Sequence, residues 1–182
     1  MAVGHAARVL VTGLALALAA AAPTAGALEP RFDHRDQQGV LVGLDGWYEA
    51  VSADRRTSTS DTSPRLRLAW SRDVSGEGGE LVLGAAARLA SWSDPGRHRY
   101  LGGIDARYRG YVGTEQLKTF FEVGLWSELA SRLVAGPLVG AGVAYDPSRA
   151  WGLQASLVFA TGFGQARVAT GGLSLGVQLR FE

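Results

Sequence analysis

Gly172-Leu-Ser-Leu-Gly-Val-Gln-Leu-Arg-Phe-Glu182, at the end of the chain, decides the fold. Leu173, Leu175, Val177, Leu179 and Phe181 take every second position, with Ser174, Gly176, Gln178 and Arg180 between them. Successive strand side chains point to opposite faces, so this stretch reads as a strand with one apolar and one polar face. Seven further stretches repeat the pattern.

The first runs from Val40 to Val51, with Val40, Val42, Leu44 and Tyr48 opposite Gly43, Asp45, Trp47 and Glu49. A polar loop, Ser52 to Asp61, precedes a second strand from Arg65 to Ser71. The third spans Glu80 to Ala90, the fourth His98 to Tyr111 and the fifth Gln116 to Leu129. After a loop from Ala130 to Gly136, Pro137 begins the sixth, where a missing amide donor is tolerated. Asp146-Pro147-Ser148 reads as a tight turn. The seventh strand is Trp151 to Phe163, and a loop from Gly164 to Gly171 leads to the last. No helical period interrupts this series. Eight antiparallel strands of about ten residues can close into an up-and-down barrel, which leaves no open edge.

Upstream, Arg8 precedes the apolar run Val9 to Ala22, and Ala25-Gly26-Ala27 follows. A charged start, a short apolar stretch and an A-x-A site describe a secretory signal peptide, residues 1–27. The run is too short for a membrane-spanning helix, which takes about 20 apolar residues. Removing 27 of the 182 residues leaves 155, including a polar leader, residues 28–38, and the barrel, residues 39–182. Loss of Arg8 brings 18 basic residues to 17, equal to the 17 acidic ones. No basic excess remains to suggest nucleic-acid binding. The sequence has no cysteine, which excludes thiolate metal sites and disulfides. No residue cluster suggests a metal or another cofactor.

Alternation alone does not say which face is outside. The apolar parity carries no charge in the body of any strand. The polar parity mixes glycines with charges: Gly43, Gly84, Gly103, Gly124, Gly140, Gly142, Gly152 and Gly176 among Asp45, Glu49, Arg65, Arg67, Glu80, Arg88, Asp105, Arg107, Arg109, Lys118, Glu122, Glu128 and Arg180. Glycines weaken strands, and a solvent face gains nothing from them, but they make room for long charged side chains inside a narrow tube. With the termini taken as periplasmic, Trp70, Tyr108, Tyr145, Trp151 and Phe181 fall at one rim of the apolar face. Tyr48, Tyr100 and Phe163 fall at the other, as aromatic girdles do at two membrane interfaces. The expected arrangement is an all-β, eight-stranded antiparallel transmembrane barrel with a charge network in its lumen.

This pattern resembles the small eight-stranded outer-membrane barrels of the OmpA transmembrane-domain and OmpX kind, over nearly the whole mature chain. The resemblance implies the outer membrane of a Gram-negative envelope, a monomer, contact with outer-membrane lipid and lipopolysaccharide, and insertion by the barrel-assembly machinery. Phe181 is similar to the terminal aromatic that this machinery reads, although the chain ends one residue later, at Glu182. The implied role is structural or surface interaction through an unidentified loop partner, with at most minor permeability, because side chains fill an eight-stranded interior. One alternative is a lipid A-modifying enzyme, since some such barrels are deacylases with a lipid-facing His and a Ser two residues on. Here His98 is followed by Tyr100 at that spacing, and Ser91, Ser93 and Asp94 show no supporting pattern. The chain is therefore expected not to be an enzyme. A second alternative is a soluble exported barrel holding an apolar ligand.

Overall fold

The computed structural model describes residues 37–54, 57–74, 78–89, 102–113, 116–128 and 133–181. They form β1 (Gln38–Asp54), β2 (Thr57–Asp73), β3 (Gly79–Arg88), β4 (Gly102–Val112), β5 (Leu117–Glu128), β6 (Val134–Tyr145), β7 (Trp151–Gly164) and β8 (Arg167–Phe181). Each strand pairs antiparallel with the next, and β8 pairs with β1 to close the barrel. The closing seam is long and in register from Gln38 opposite Phe181 to Ser52 opposite Arg167. The signal-peptide segment and most of the leader lie outside the described residues, as does Tyr100.

The strands are longer at the loop end than the sequence suggests. The expected polar loop from Ser52 to Asp61 is instead a continuation of the β1–β2 ladder, with Glu49 opposite Asp61 and Asp54 opposite Thr57. Thr and Ser side chains fit a pleated surface, so their polarity does not end a strand. A register shift between Ser52 and Asp54 accommodates the turn. The expected loop from Gly164 to Gly171 contracts in the same way: β8 already begins at Arg167. β6 likewise begins at Val134, three residues before Pro137. Pro137 breaks the ladder to β7 locally, and pairing resumes at Leu138 opposite Ala160.

At the other end the connections are tight. Gly78 and Gly113 adopt positive φ, 94° and 102°, which only glycine takes without cost. They flank the turn before β3 and the turn after β4, and the Tyr111 amide donates to the Gly78 carbonyl, tying the two together.

The apolar parity faces outward everywhere it is described. Leu44, Leu68, Leu125, Val139, Phe159 and Leu175 are all exposed. Among the described side chains of the strands, charge appears on this face only at Arg72 and Arg167, one near each rim. A closed barrel with an unbroken apolar exterior is a transmembrane β-barrel. Trp70, Tyr108, Tyr145, Trp151 and Phe181 ring the turn end of that exterior, and Tyr48 and Phe163 lie toward the loop end.

Depth should therefore govern the cost of an outward charge. Leu175→Arg, midway along β8, is expected to destabilise the barrel by about 2–4 kcal/mol in lipid vesicles, and Leu179→Arg, near the rim, by about 0–1 kcal/mol. Denaturant unfolding in vesicles measures both; equal losses at the two positions refute an outer face immersed in hydrocarbon.

Candidate functional site: the barrel interior

The inward parity brings charges from every strand except β6 and β7 into one enclosed space, joined there by Asp146 of the β6–β7 turn and by uncharged polar groups. Near the middle, Asp105 on β4 accepts from Arg67 Nη2 at 2.7 Å and from Arg107 Nε at 2.6 Å. Arg107 Nη1 also reaches Glu122 Oε2 on β5 at 2.9 Å, and Arg109 Nη2 reaches the other Glu122 oxygen at 2.6 Å. Each of these two carboxylates thus holds two guanidiniums, and Arg107 spans both. Such charge-assisted bonds are shorter and stronger than neutral ones. Asp45 lies beside this group and accepts from Ser174 Oγ on β8 at 2.6 Å.

Toward the turn end, Arg109 Nη1 donates to Gln154 at 2.7 Å and to Glu80 at 3.3 Å. Glu80 also accepts from Tyr111 Oη and from Gln178 Nε2. The Arg109 guanidinium lies 4.5 Å from the centre of the Phe120 ring, an apolar inward residue that supplies a cation–π contact. At the turn itself Asp146, fully buried, accepts from Lys118 Nζ at 2.9 Å and Arg180 Nη1 at 2.8 Å. That contact links the β6–β7 turn to the last strand.

Toward the loop end, Glu49 accepts from Arg65 at 3.1 Å and Arg88 at 2.6 Å, and Arg88 extends to Asp61 at 3.2 Å. Glu128, also buried, stands at the same end of β5. The Arg65 guanidinium covers the Trp47 ring at 4.5 Å, and Trp47 packs on Trp126 with centroids 6.2 Å apart. These indoles begin an apolar cluster with Val134, Leu138, Val158 and Val168 that fills the β5–β8 side of the interior. Trp47 Nε1, Arg65 Nε and Arg88 Nε are buried there without an acceptor among the described residues.

The glycines explain how so many long side chains fit. A Cβ on Gly84 would stand 2.7 Å from the Asp105 carboxylate and 2.9 Å from Arg67 Nη2. On Gly152 it would collide with Asp146, and on Gly124 with the backbone of Ala106.

All the inward charges expected from the sequence point into this interior, and all are largely buried. Asp146 stands in the expected turn, and its carboxylate is in addition the acceptor that closes the turn end. Parity held the clue, since Asp146 continues the inward series Gly140, Gly142, Ala144 of β6. Tyr111, Gln154, Ser174 and Gln178 were also reachable by parity, but uncharged polar residues gave no reason to single them out. The interior is also less uniformly polar than alternation implies, because Trp47, Phe120, Trp126 and Leu138 occupy inward positions. His98, Ser91, Ser93 and Asp94 lie outside the described residues.

No known family model matches the sequence, and no curated protein matches it. Solved structures do. Neisserial surface protein A is 20% identical over 78% of this chain and 97% of that one, with a TM-score of 0.58. The N-terminal β-barrel domain of Pseudomonas aeruginosa OprF is 14% identical, covers 78% and 97%, and scores 0.53. Ail, the attachment invasion locus protein of Yersinia pestis, is 12% identical, covers 81% and 99%, and scores 0.51. The chain has the fold of the small eight-stranded outer-membrane barrels.

Two substitutions test the interior. Glu122→Ala strands two buried guanidiniums and is expected to cost about 3–5 kcal/mol, which an unchanged unfolding midpoint in detergent or lipid contradicts. Gly152→Val overpacks the Asp146 site and is expected to cost about 1–3 kcal/mol by the same measurement, while Gly46→Val, whose added Cβ meets nothing within 4 Å, should cost much less.

Proposed function

We propose that this protein is an integral outer-membrane barrel whose interior is a structural plug, with a structural or surface-interaction role and at most minor permeability. The observation that carries the reading is how fully the inward polar groups engage one another: a Glu49 group at the loop end, and contacts running from Asp105 and Glu122 through Arg109, Glu80, Gln178 and Arg180 to Asp146. A pore lined by unpaired charges attracts water and ions. Here the charges are spent on each other, and neighbouring side chains fill what remains.

The apolar exterior with aromatics at both rims supports contact with outer-membrane lipid and lipopolysaccharide. Insertion by the barrel-assembly machinery, with Phe181 in the last strand as its terminal aromatic, fits the same reading. The interior carboxylates Glu49, Glu80, Asp105, Glu122 and Asp146 are each engaged by guanidiniums, which supports a structural rather than a catalytic use of them. Two of the similar proteins carry surface-related names, a surface protein and an attachment protein. That supports a surface role for the loop end by analogy of fold only.

Planar-bilayer recording of the purified, refolded protein tests the plug. Wild-type protein is expected to give no sustained openings, and Asp105→Ala with Glu122→Ala to give small, noisy ones. Steady ohmic conductance from the wild type overturns the closed interior.

A further inference from the structure

Arg72 is the outward charge at the turn end of the described strands, and the plug does not use it. It follows Trp70 by two residues on the outer face of β2, roughly 7 Å along the strand toward the turn end. It is exposed, its neighbours in the ladders are Gln38 and Leu81, and it makes no side-chain hydrogen bond or ion pair to the described residues. Leu81 in turn faces Tyr108. Among the described residues this rim cation has no charged partner.

Directly beside it begins a groove of about 680 Å³ on the outer surface. Its floor is Ala85 and Ala106, and Leu68, Leu83, Ile104 and Leu125 stand around it. It starts at Val40 and Trp70 and ends at Ser127 and Ala135. This path follows the ladder row Val40, Trp70, Leu83, Ala106 and Leu125 from β1 to β5, and continues to β6. At about 4.8 Å per strand, the path is roughly 24 Å long, and with strands tilted about 40° it climbs roughly 15 Å. One leaflet of hydrocarbon, half of a core about 30 Å thick, has that height.

We propose that this groove holds one acyl chain of a phospholipid from the turn-side leaflet, with the lipid phosphate bound by Arg72. The inference rests on the membrane reading given above. Charge complementarity selects the head group, since a guanidinium binds a phosphate bidentately. Shape selects the tail, since the two alanines leave a channel where larger residues would give a flush surface. Trp70 sits between them, its indole N–H donating to Gln38 at 3.2 Å, at the level where head group meets chain.

A second outer groove, of about 600 Å³, supplies an internal control. It is lined by Leu44, Leu66, Val143, Leu153, Ala155 and Leu175. No outward charge lies on the described strand residues at its lower end, which is marked by Tyr145.

The test uses the full chain in vesicles of phosphatidylethanolamine and phosphatidylglycerol, extracted with mild detergent and weighed by native mass spectrometry. Wild type is expected to retain one phospholipid. Arg72→Gln is expected to lower the retained fraction about tenfold, as loss of a charged hydrogen-bonded contact does. Ala85→Leu with Ala106→Leu, which fills the groove, is expected to remove the adduct, while Ala155→Leu leaves it in place. Migration on unheated gels checks that each variant is folded. Wild type without an adduct, retention unaffected by both Arg72→Gln and the filled groove, or equal loss in Ala155→Leu each overturns the site. A wild-type chain that partitions with soluble protein instead fails the membrane reading itself, so the two failures are distinguishable.

Discussion

Closure of β8 onto β1 is the constraint from which the rest follows. It turns the alternation of side chains along each strand into a division between two surroundings, one enclosed and one outside. A strand slip of a single residue would exchange the two sets wholesale. Slipping β8 would turn Leu175 inward and Ser174 outward, and slipping β1 would do the same to Leu44 and Asp45. The seam register, with Leu44 opposite Leu175 and Asp45 opposite Ser174, is therefore held on both faces at once. Inside, Ser174 donates to Asp45 across the seam; outside, the leucines adjoin.

Enclosure then dictates pairing. A guanidinium cannot shed its proton to escape burial, so each inward arginine must find a carboxylate or another acceptor. The interior meets this demand by sharing. Glu122 serves Arg107 and Arg109, Asp105 serves Arg67 and Arg107, and Asp146 serves Lys118 and Arg180. Sharing joins strands far apart in sequence, such as β2 with β4 and β6's turn with β8. The same contacts that satisfy the charges thus cross-brace the barrel. The room for this comes from the wall, where Gly84, Gly124 and Gly152 stand beside the shared groups. Strand propensity is given up because a methyl group would meet the Asp105–Arg67 contact at Gly84, Asp146 at Gly152 and the neighbouring backbone at Gly124.

Period-two patterning made the fold legible, along with the inward charges and the girdle positions, because inside and outside differ so strongly in chemistry. What it obscured were places where polarity and structure part company. Ser52 to Asp61 is polar on both parities, yet its backbone pairs through most of its length, since at the end of a barrel neither face need be apolar. Asp146 was hidden by the opposite effect: Asp-Pro-Ser is so strong a turn signal that its side-chain direction went unread. Trp47 and Trp126 stand on the polar parity, where pattern alone assigns them to a charged interior. Their meeting depends on β1 and β5 facing each other across the tube, which is a property of closure rather than of any strand.

That meeting divides the interior into unlike halves. On the β5–β8 side toward the loop end, indoles and aliphatic side chains pack together, with Arg65 over the Trp47 ring and Glu128 opposite Val134. The ion pairs crowd against β2–β4 and run down to the turn end. Below the middle, Glu80, Glu122 and Asp146 each accept several donors, and among the described residues the buried side-chain donors without an acceptor are at the loop end, on Trp47, Arg65 and Arg88. Saturated polar networks are rigid, while partly satisfied ones draw in water wherever they can reach it. The turn-side half, from Glu122 to Asp146, is therefore the more fully cross-braced of the two.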